Sequence, residues 1–406
     1  MAIVVQKYGG SSVADVDKIR KVADRVAAAK AAGKDVVVVV SAMGDTTDEL
    51  LALAKKLTDS PARRELDMLL SAGERISMAL LSMALNARGV PAVSFTGSQS
   101  GIVTNDSHTN ARIVEVRPFR VQDELERGKV VIVAGYQGVS YKREVTTLGR
   151  GGSDTTAVAL AAALDAEACE IYSDVEGVYT ADPRVVPDAR RLAELSYEEM
   201  QELAESGARV LNAQAVEFAK ERGIAIYARA THGGDETVVR KRPPRAPGRV
   251  VGVASEEGLV ALSARAADRS TVVALLGLLD EHETGGKQFH LDVPDGDGAL
   301  SLVLSLENLH DFPRLRKSLA SRLGGRVTLR EGVGAVSAIG AGINSRFENL
   351  RRTLETLASM DAPVLGASTS SFRISVLVDE KSVPEVVRRL HGALVTEGEP
   401  PRSPAD

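Results

Sequence analysis

The chain has 406 residues, more than one hydrophobic core usually organises, so two or three domains are expected. With 44% hydrophobic and 26% charged residues and a formal net charge of −5, it has the composition of a soluble globular protein. That balance argues against a nucleic-acid surface, aromatics at 3% are too scarce for base stacking, and no uninterrupted apolar run reaches membrane-spanning length.

In chain order, the first 230 residues alternate two kinds of pattern. Short β-branched apolar runs at 3–5, 36–40, 92–95, 130–134, 170–172 and 224–227 suit strands buried on both faces of a parallel sheet. The start, A-I-V-V-Q, has no basic segment or cleavage site, so a cytoplasmic location without membrane contact is expected. Helical spacing links Ile19, Val22, Ala23 and Val26, and again Met68, Ala72, Ile76 and Met78. A further helix is read at 155–164, and Ser196 with Glu199 forms a capping box opening a helix that runs through Ala204. Together these describe an α/β fold, a mostly parallel central sheet sandwiched by helices. Cys169, the only cysteine, falls in a strand-like segment and reads as an inert buried thiol; the six histidines have no metal-ligand spacing.

The proline-rich basic segment K-R-P-P-R-A-P-G-R at 241–249 reads as a linker between domains. Beyond it, strands at 250–263 and 299–305 and helices at 271–281 and 312–323 form one course. A second course has strands at 335–339 and 372–378 and helices at 347–359 and 383–394. The domains expected are therefore 1–240, a linker at 241–249, and small α+β units at 250–330 and 331–397. Whether the last two intertwine is open, and 398–406 reads as a disordered tail.

Two motifs carry chemistry. T-L-G-R-G-G-S-D-T-T at 147–156 places Arg150, Gly151, Gly152 and Asp154 where a helix begins, and backbone amides there favour anions. Arg150 can grip a carboxylate or phosphate with two parallel hydrogen bonds, and Asp154 suits an ammonium group. K-Y-G-G-S-S at 7–12 follows the first strand, and its glycines allow the backbone to approach phosphates while Lys7 offsets their charge. It has neither the P-loop nor the dinucleotide-binding spacing.

Seven blocks in the same order resemble the aspartate kinases of the amino-acid kinase family. They are the two motifs above, V-V-S-A-M-G at 39–44, S-A-G-E-R at 71–75, F-T-G-S-Q-S-G-I at 95–102, S-D-V-E-G-V-Y-T-A-D-P-R at 173–184 and E-L-A-E-S-G-A-R-V-L at 202–211. The resemblance implies transfer of the ATP γ-phosphate to the β-carboxylate of L-aspartate, the first step towards lysine, threonine and methionine. By the same resemblance Lys7, Gly9 and Gly10 meet the transferring phosphoryl group, with Tyr8 beside them. Arg150 holds the α-carboxylate of aspartate, Glu74 and Asp154 its ammonium, and Ser41, Thr47, Gly151, Gly152 and Ser153 line the cleft. Ser173, Asp174, Tyr179, Asp182, Arg184 and Arg209 form the nucleotide pocket, and Mg²⁺ is held mainly by ATP oxygens. No general base is implied, because the attacking carboxylate, with a pKa of ~3.9, is already ionised at neutral pH.

The C-terminal units resemble the paired ACT regulatory domains of these kinases, which implies a homodimer and an amino-acid effector, lysine or threonine. Where the family commonly carries a Pro-Gly pair, this chain has A-A-D-R-S at 266–270 and R-F-E-N-L at 346–350, which weakens the effector expectation. Arg209 stands where the family has lysine, and 212–214 also departs from its pattern. The alternatives are another amino-acid kinase, such as one acting on glutamate, and a regulatory subunit with impaired kinase activity.

Overall fold

The computed structural model describes residues 2–242, 247–292, 298–360 and 362–395. The tail, and residues 243–246 of the linker, lie outside them. An eight-stranded sheet organises the first part, in the order Glu194–Leu195, Glu236–Val239, Ile226–Ala230, Ala168–Ser173, Ile3–Tyr8, Asp35–Val40, Val130–Ala134, Ala92–Phe95. All its pairings are parallel except that between Ile226–Ala230 and Glu236–Val239.

Successive side chains of each central strand enter different cores. Val37 and Val39 pack with the helices Gly152–Ala163 and Ala213–Arg222 on one face. Val36, Val38 and Val40 pack with Val16–Ala31 and Ala72–Asn86 on the other. This is why the strand reads as an unbroken valine run rather than an alternating one. Gly152–Ala163 is buried from Gly152 through Ala161, a central helix covered on all sides. The capping box at Ser196 is formed, with Ser196 Oγ accepting from Glu199 N at 3.2 Å and Glu199 Oε2 from Ser196 N at 3.1 Å.

A four-stranded sheet, Ile113–Val116, Ile102–Thr104, Gln137–Ser140 and Val145–Thr147, lies beside the main one. Its strands of three or four residues are too short to show a period. Also absent from the sequence reading are the helices Thr46–Leu57, Phe119–Glu126 and Ala213–Arg222.

The C-terminal part is a six-stranded antiparallel sheet, in the order Lys287–Asp292, Gly298–Ser305, Gly252–Ala267, Thr328–Ile339, Arg373–Asp379, Gly366–Thr369. Helices Arg269–Glu281 and Phe312–Leu323 cover one half, Glu348–Ser359 and Val383–Leu394 the other. The long central pairing of Gly252–Ala267 with Thr328–Ile339 joins both halves in one sheet.

The helical stretch 63–86 is long and apolar enough to span a membrane by length and composition, although charged residues interrupt it. Half of its most apolar window is buried within the fold, including Glu74, as expected of a core helix.

Candidate active site

The site forms where the central strands end. Lys7, on the strand Ile3–Tyr8, pairs in register with Val39 and Ile171 on its two neighbours. Its Nζ lies 2.7 Å from Asp154 Oδ1, both side chains being nearly buried. The two motifs, 147 positions apart in sequence, thus meet in one ion pair.

Close approach explains the glycines. Gly9 N donates to Tyr172 O at 3.0 Å, and Gly44 N to Gly10 O at 3.1 Å. A Cβ at Gly10 would come within 2.9 Å of the Ala42 carbonyl oxygen. Gly151 begins the central helix with φ +72°, a conformation that suits glycine, and a Cβ there would meet the Asn212 carboxamide at 2.7 Å.

Arg150 is exposed at this helix start, with its guanidinium 3.0 Å from Asp48 Oδ1. Asp48 sits in the first turn of Thr46–Leu57, next to Thr47. Ser41 ends the strand Asp35–Val40; its N–H donates to Tyr8 O and its carbonyl accepts from Ser77 Oγ at 2.7 Å. Ser153 is buried against Gly135.

Glu74 is buried in the helix Ala72–Asn86. Its Oε1 accepts from Ala42 N at 3.1 Å, while Oε2 has no hydrogen-bond partner. Burial pushes its carboxyl up to about 7. An ionisable oxygen left unpaired in the interior is costly unless a ligand completes it. Tyr136, with φ +68°, lies in the fields of Glu74, Asp67 and Arg150, and burial raises its hydroxyl to about 12. Its unusual backbone had no signal in sequence.

Tyr8 is a correction. Its side chain is fully buried on the opposite face of the sheet, stacked on Tyr172 at 4.9 Å, with its hydroxyl donating to Gln6 Oε1. Strand alternation, which turns Lys7 towards Asp154, turns Tyr8 away. Only its backbone borders the site.

The second group lies beside the end of Ala168–Ser173. Ser173 and exposed Asp174 lead into the loop bearing Tyr179, Asp182 and Arg184. Arg184 Nη2 pairs with Asp182 Oδ2 at 2.7 Å and holds that carboxyl below its ordinary range; the charge of Arg209 adds to the effect. Arg209 is exposed and close enough to act on the same loop. Thr231, which sequence reasoning missed, accepts from Arg25 and lies 2.5 Å from Ser12 Oγ.

Other supporting residues were also missed. Asn212, within the segment that departs from the family pattern, caps the helix Ala213–Arg222 and donates Nδ2–H to Arg150 O at 2.8 Å. Its place just before a helix was the available signal. Asp67 is fully buried and accepts from Thr147 Oγ1 at 2.6 Å and Thr109 N at 3.0 Å, with His108 Nδ1 2.6 Å from its other oxygen. His108 thus serves the loop's structure. Cys169 is buried and its thiol is pushed far up by desolvation, as befits an inert side chain.

The geometry has counterparts in known proteins. Residues 2–228 match the model of the amino acid kinase family. An aspartokinase of Mycolicibacterium smegmatis is 45% identical over 413 residues, covering 97% of this chain and 96% of the relative. Among solved structures, E. coli aspartokinase III in complex with aspartate and ADP (R-state) superposes with a TM-score of 0.82 at 25% identity, covering 97% of this chain and 100% of that one. The same enzyme in complex with lysine and aspartate (T-state) gives 0.69 at 26% identity over the same shares. With the turn after its first strand and the start of its central helix joined by the Lys7–Asp154 pair, and with relatives alike along nearly its whole length, the chain belongs to the amino acid kinase family and, within it, to the aspartokinases.

Proposed function

We infer that the chain is an aspartate kinase, transferring the γ-phosphate of ATP to the β-carboxylate of L-aspartate. The observation that carries the residue roles is the Lys7–Asp154 pair, set between the Gly9–Gly10 turn and the start of the central helix. Lysine at that point neutralises charge between two approaching anions, which is the main demand of phosphoryl transfer. Aspartate's α-carboxylate displaces Asp48 from Arg150, and its ammonium completes the unpaired Glu74 Oε2 beside Asp154. Ser41, Thr47 and the Gly151–Ser153 backbone line the opening. Ser173, Asp174, Tyr179, Asp182, Arg184 and Arg209 receive the nucleotide.

Among the described residues no group of three or more acidic, histidine or cysteine side chains converges as a metal site. An Mg²⁺ ion held mainly by ATP oxygens and water would neutralise phosphate charge. The rival regulatory-subunit reading loses its main support, because Asn212 is built into the site through Arg150 O.

The enzyme acts in the cytoplasm as a homodimer assembled through its C-terminal units. In the first unit, Asp268 Oδ1 accepts from Thr271 N at 2.7 Å and so occupies the helix start where an effector carboxylate would bind. Weak inhibition by lysine or threonine alone follows.

Arg150→Ala tests the site assignment by steady-state kinetics. Losing a charge-assisted carboxylate contact should raise the aspartate KM by roughly 30-fold or more with the ATP KM little changed. Equal losses for both substrates would show Arg150 to be misassigned.

A further inference from the structure

The aspartate-binding turn is held from two sides by asparagine carboxamides, and one belongs to the C-terminal sheet domain. Asn212 donates to the carbonyl of Arg150 at 2.8 Å. From the other side, Asn308 Oδ1 accepts the backbone N–H of Arg150 at 3.1 Å, across 158 positions of sequence. The approach is close: Gly149 has φ +77°, and a Cβ there would lie 3.1 Å from Asn308 Nδ2.

The loop bearing Asn308 is itself fixed to the catalytic part. Arg63 Nη2 donates to Asp311 Oδ1 at 3.0 Å and to the His282 carbonyl at 2.7 Å, and Nη1 pairs with Glu283 at 3.3 Å. Asp311 is buried and Arg63 mostly covered, so the Arg63–Asp311 pair is shielded from solvent screening. Asp311 precedes the helix Phe312–Leu323, and Leu306 N, at the loop's start, donates to Gly258 O on the central strand of the C-terminal sheet. A shift of that first unit therefore moves the acceptor on which the Arg150 amide rests.

We propose that Asn308 is a positioning residue for aspartate: it fixes the Gly149–Gly152 turn so that Arg150 meets the substrate carboxylate, and through it the 306–311 loop of the first C-terminal unit governs aspartate affinity rather than nucleotide affinity. This rests on the assignment of Arg150 to aspartate. The nucleotide loop has a different attachment. Thr180 O accepts from Val253 N at 2.7 Å, and Thr180 Oγ1 lies 2.9 Å from His391 Nε2 on the last helix, so displacing the 306–311 loop does not act on it directly.

The test is a double-mutant cycle on the full-length enzyme, with KM for aspartate and for ATP and kcat measured for Asn308→Ala, Arg150→Ala and the pair. Losing one hydrogen bond to the turn should raise the aspartate KM about five- to tenfold, with the ATP KM within about twofold of wild type. On the Arg150→Ala background, Asn308→Ala should add nothing further. An unchanged aspartate KM, a parallel rise in both KM values, or additive effects in the pair would overturn the proposal. If Arg150→Ala itself spares the aspartate KM, the site assignment falls and the proposal with it. Should the alanine variant fail to fold, Asn308→Ser, too short to reach the amide, gives the same readout.

Discussion

Glu74 shows how one residue can link substrate, proton and stability. Burial pushes its carboxyl up to about 7, and one of its oxygens has no hydrogen-bond partner. Only the ionised form attracts the substrate ammonium. The aspartate KM should therefore rise as pH falls through 7, approaching tenfold per unit below it, while Glu74→Gln gives a high and flat profile. The same shift costs stability. A carboxyl raised in the folded state binds its proton more tightly there, so the stability it contributes is present at low pH and lost as pH rises through about 7, on the order of 3 kcal/mol in full. Saturating aspartate should restore part of this, so the rise in Tm on adding aspartate should grow between pH 6 and 8. A pH-independent KM would remove Glu74 from the site. The sequence displayed Glu74 within a matching block, but its unpaired oxygen depends on how Gly73 lets the helix approach Ala42. Tyr8 shows the converse: its motif is legible, yet strand alternation turns its side chain into the core on the opposite face from Lys7.

Among the elements, the long central strands and the helices packed on them were legible because they are buried and periodic. The valine run of Asp35–Val40 and the spacing of Val16–Ala31 are examples. What escaped was the short four-stranded sheet and the helix Thr46–Leu57, whose exposed Leu53 and Leu57 blur its apolar stripe. Those short elements depend on tertiary ties rather than propensity. Asp67 is the main one, joining the helix Arg63–Leu70 to Thr147 on Val145–Thr147 and to the loop at His108 and Thr109. Asp67→Ala would strand three partners around a buried vacancy and should cost roughly 3 kcal/mol, read as a lowered urea midpoint. A loss below about 1 kcal/mol would mean these hydrogen bonds do not hold the small sheet in place.

At the scale of the whole molecule, the catalytic and C-terminal parts share structure rather than merely adjoining. Ala181 and Val186, in the loop after Ala168–Ser173, lie in the same core as Val336, Val376 and Leu390. Arg63 and Asn308 join the other half of the C-terminal sheet to the helix Arg63–Leu70 and to the Arg150 turn. The two β-α-β courses were visible in sequence, since their helices and inner strands have clear apolar periods. Their fusion into one six-stranded sheet was not, because pairing between Gly252–Ala267 and Thr328–Ile339 is a long-range choice that no local pattern records. The same holds for the Asn308 contact: a lone asparagine in a loop carries no signal until the fold sets it against Arg150. The central claim is that this assembly phosphorylates aspartate. Incubation with ATP, Mg²⁺ and hydroxylamine should trap 4-phospho-L-aspartate as its hydroxamate when L-aspartate is supplied, and give no comparable signal with L-glutamate. Absence of hydroxamate with aspartate, or turnover of glutamate in its place, would contradict the account.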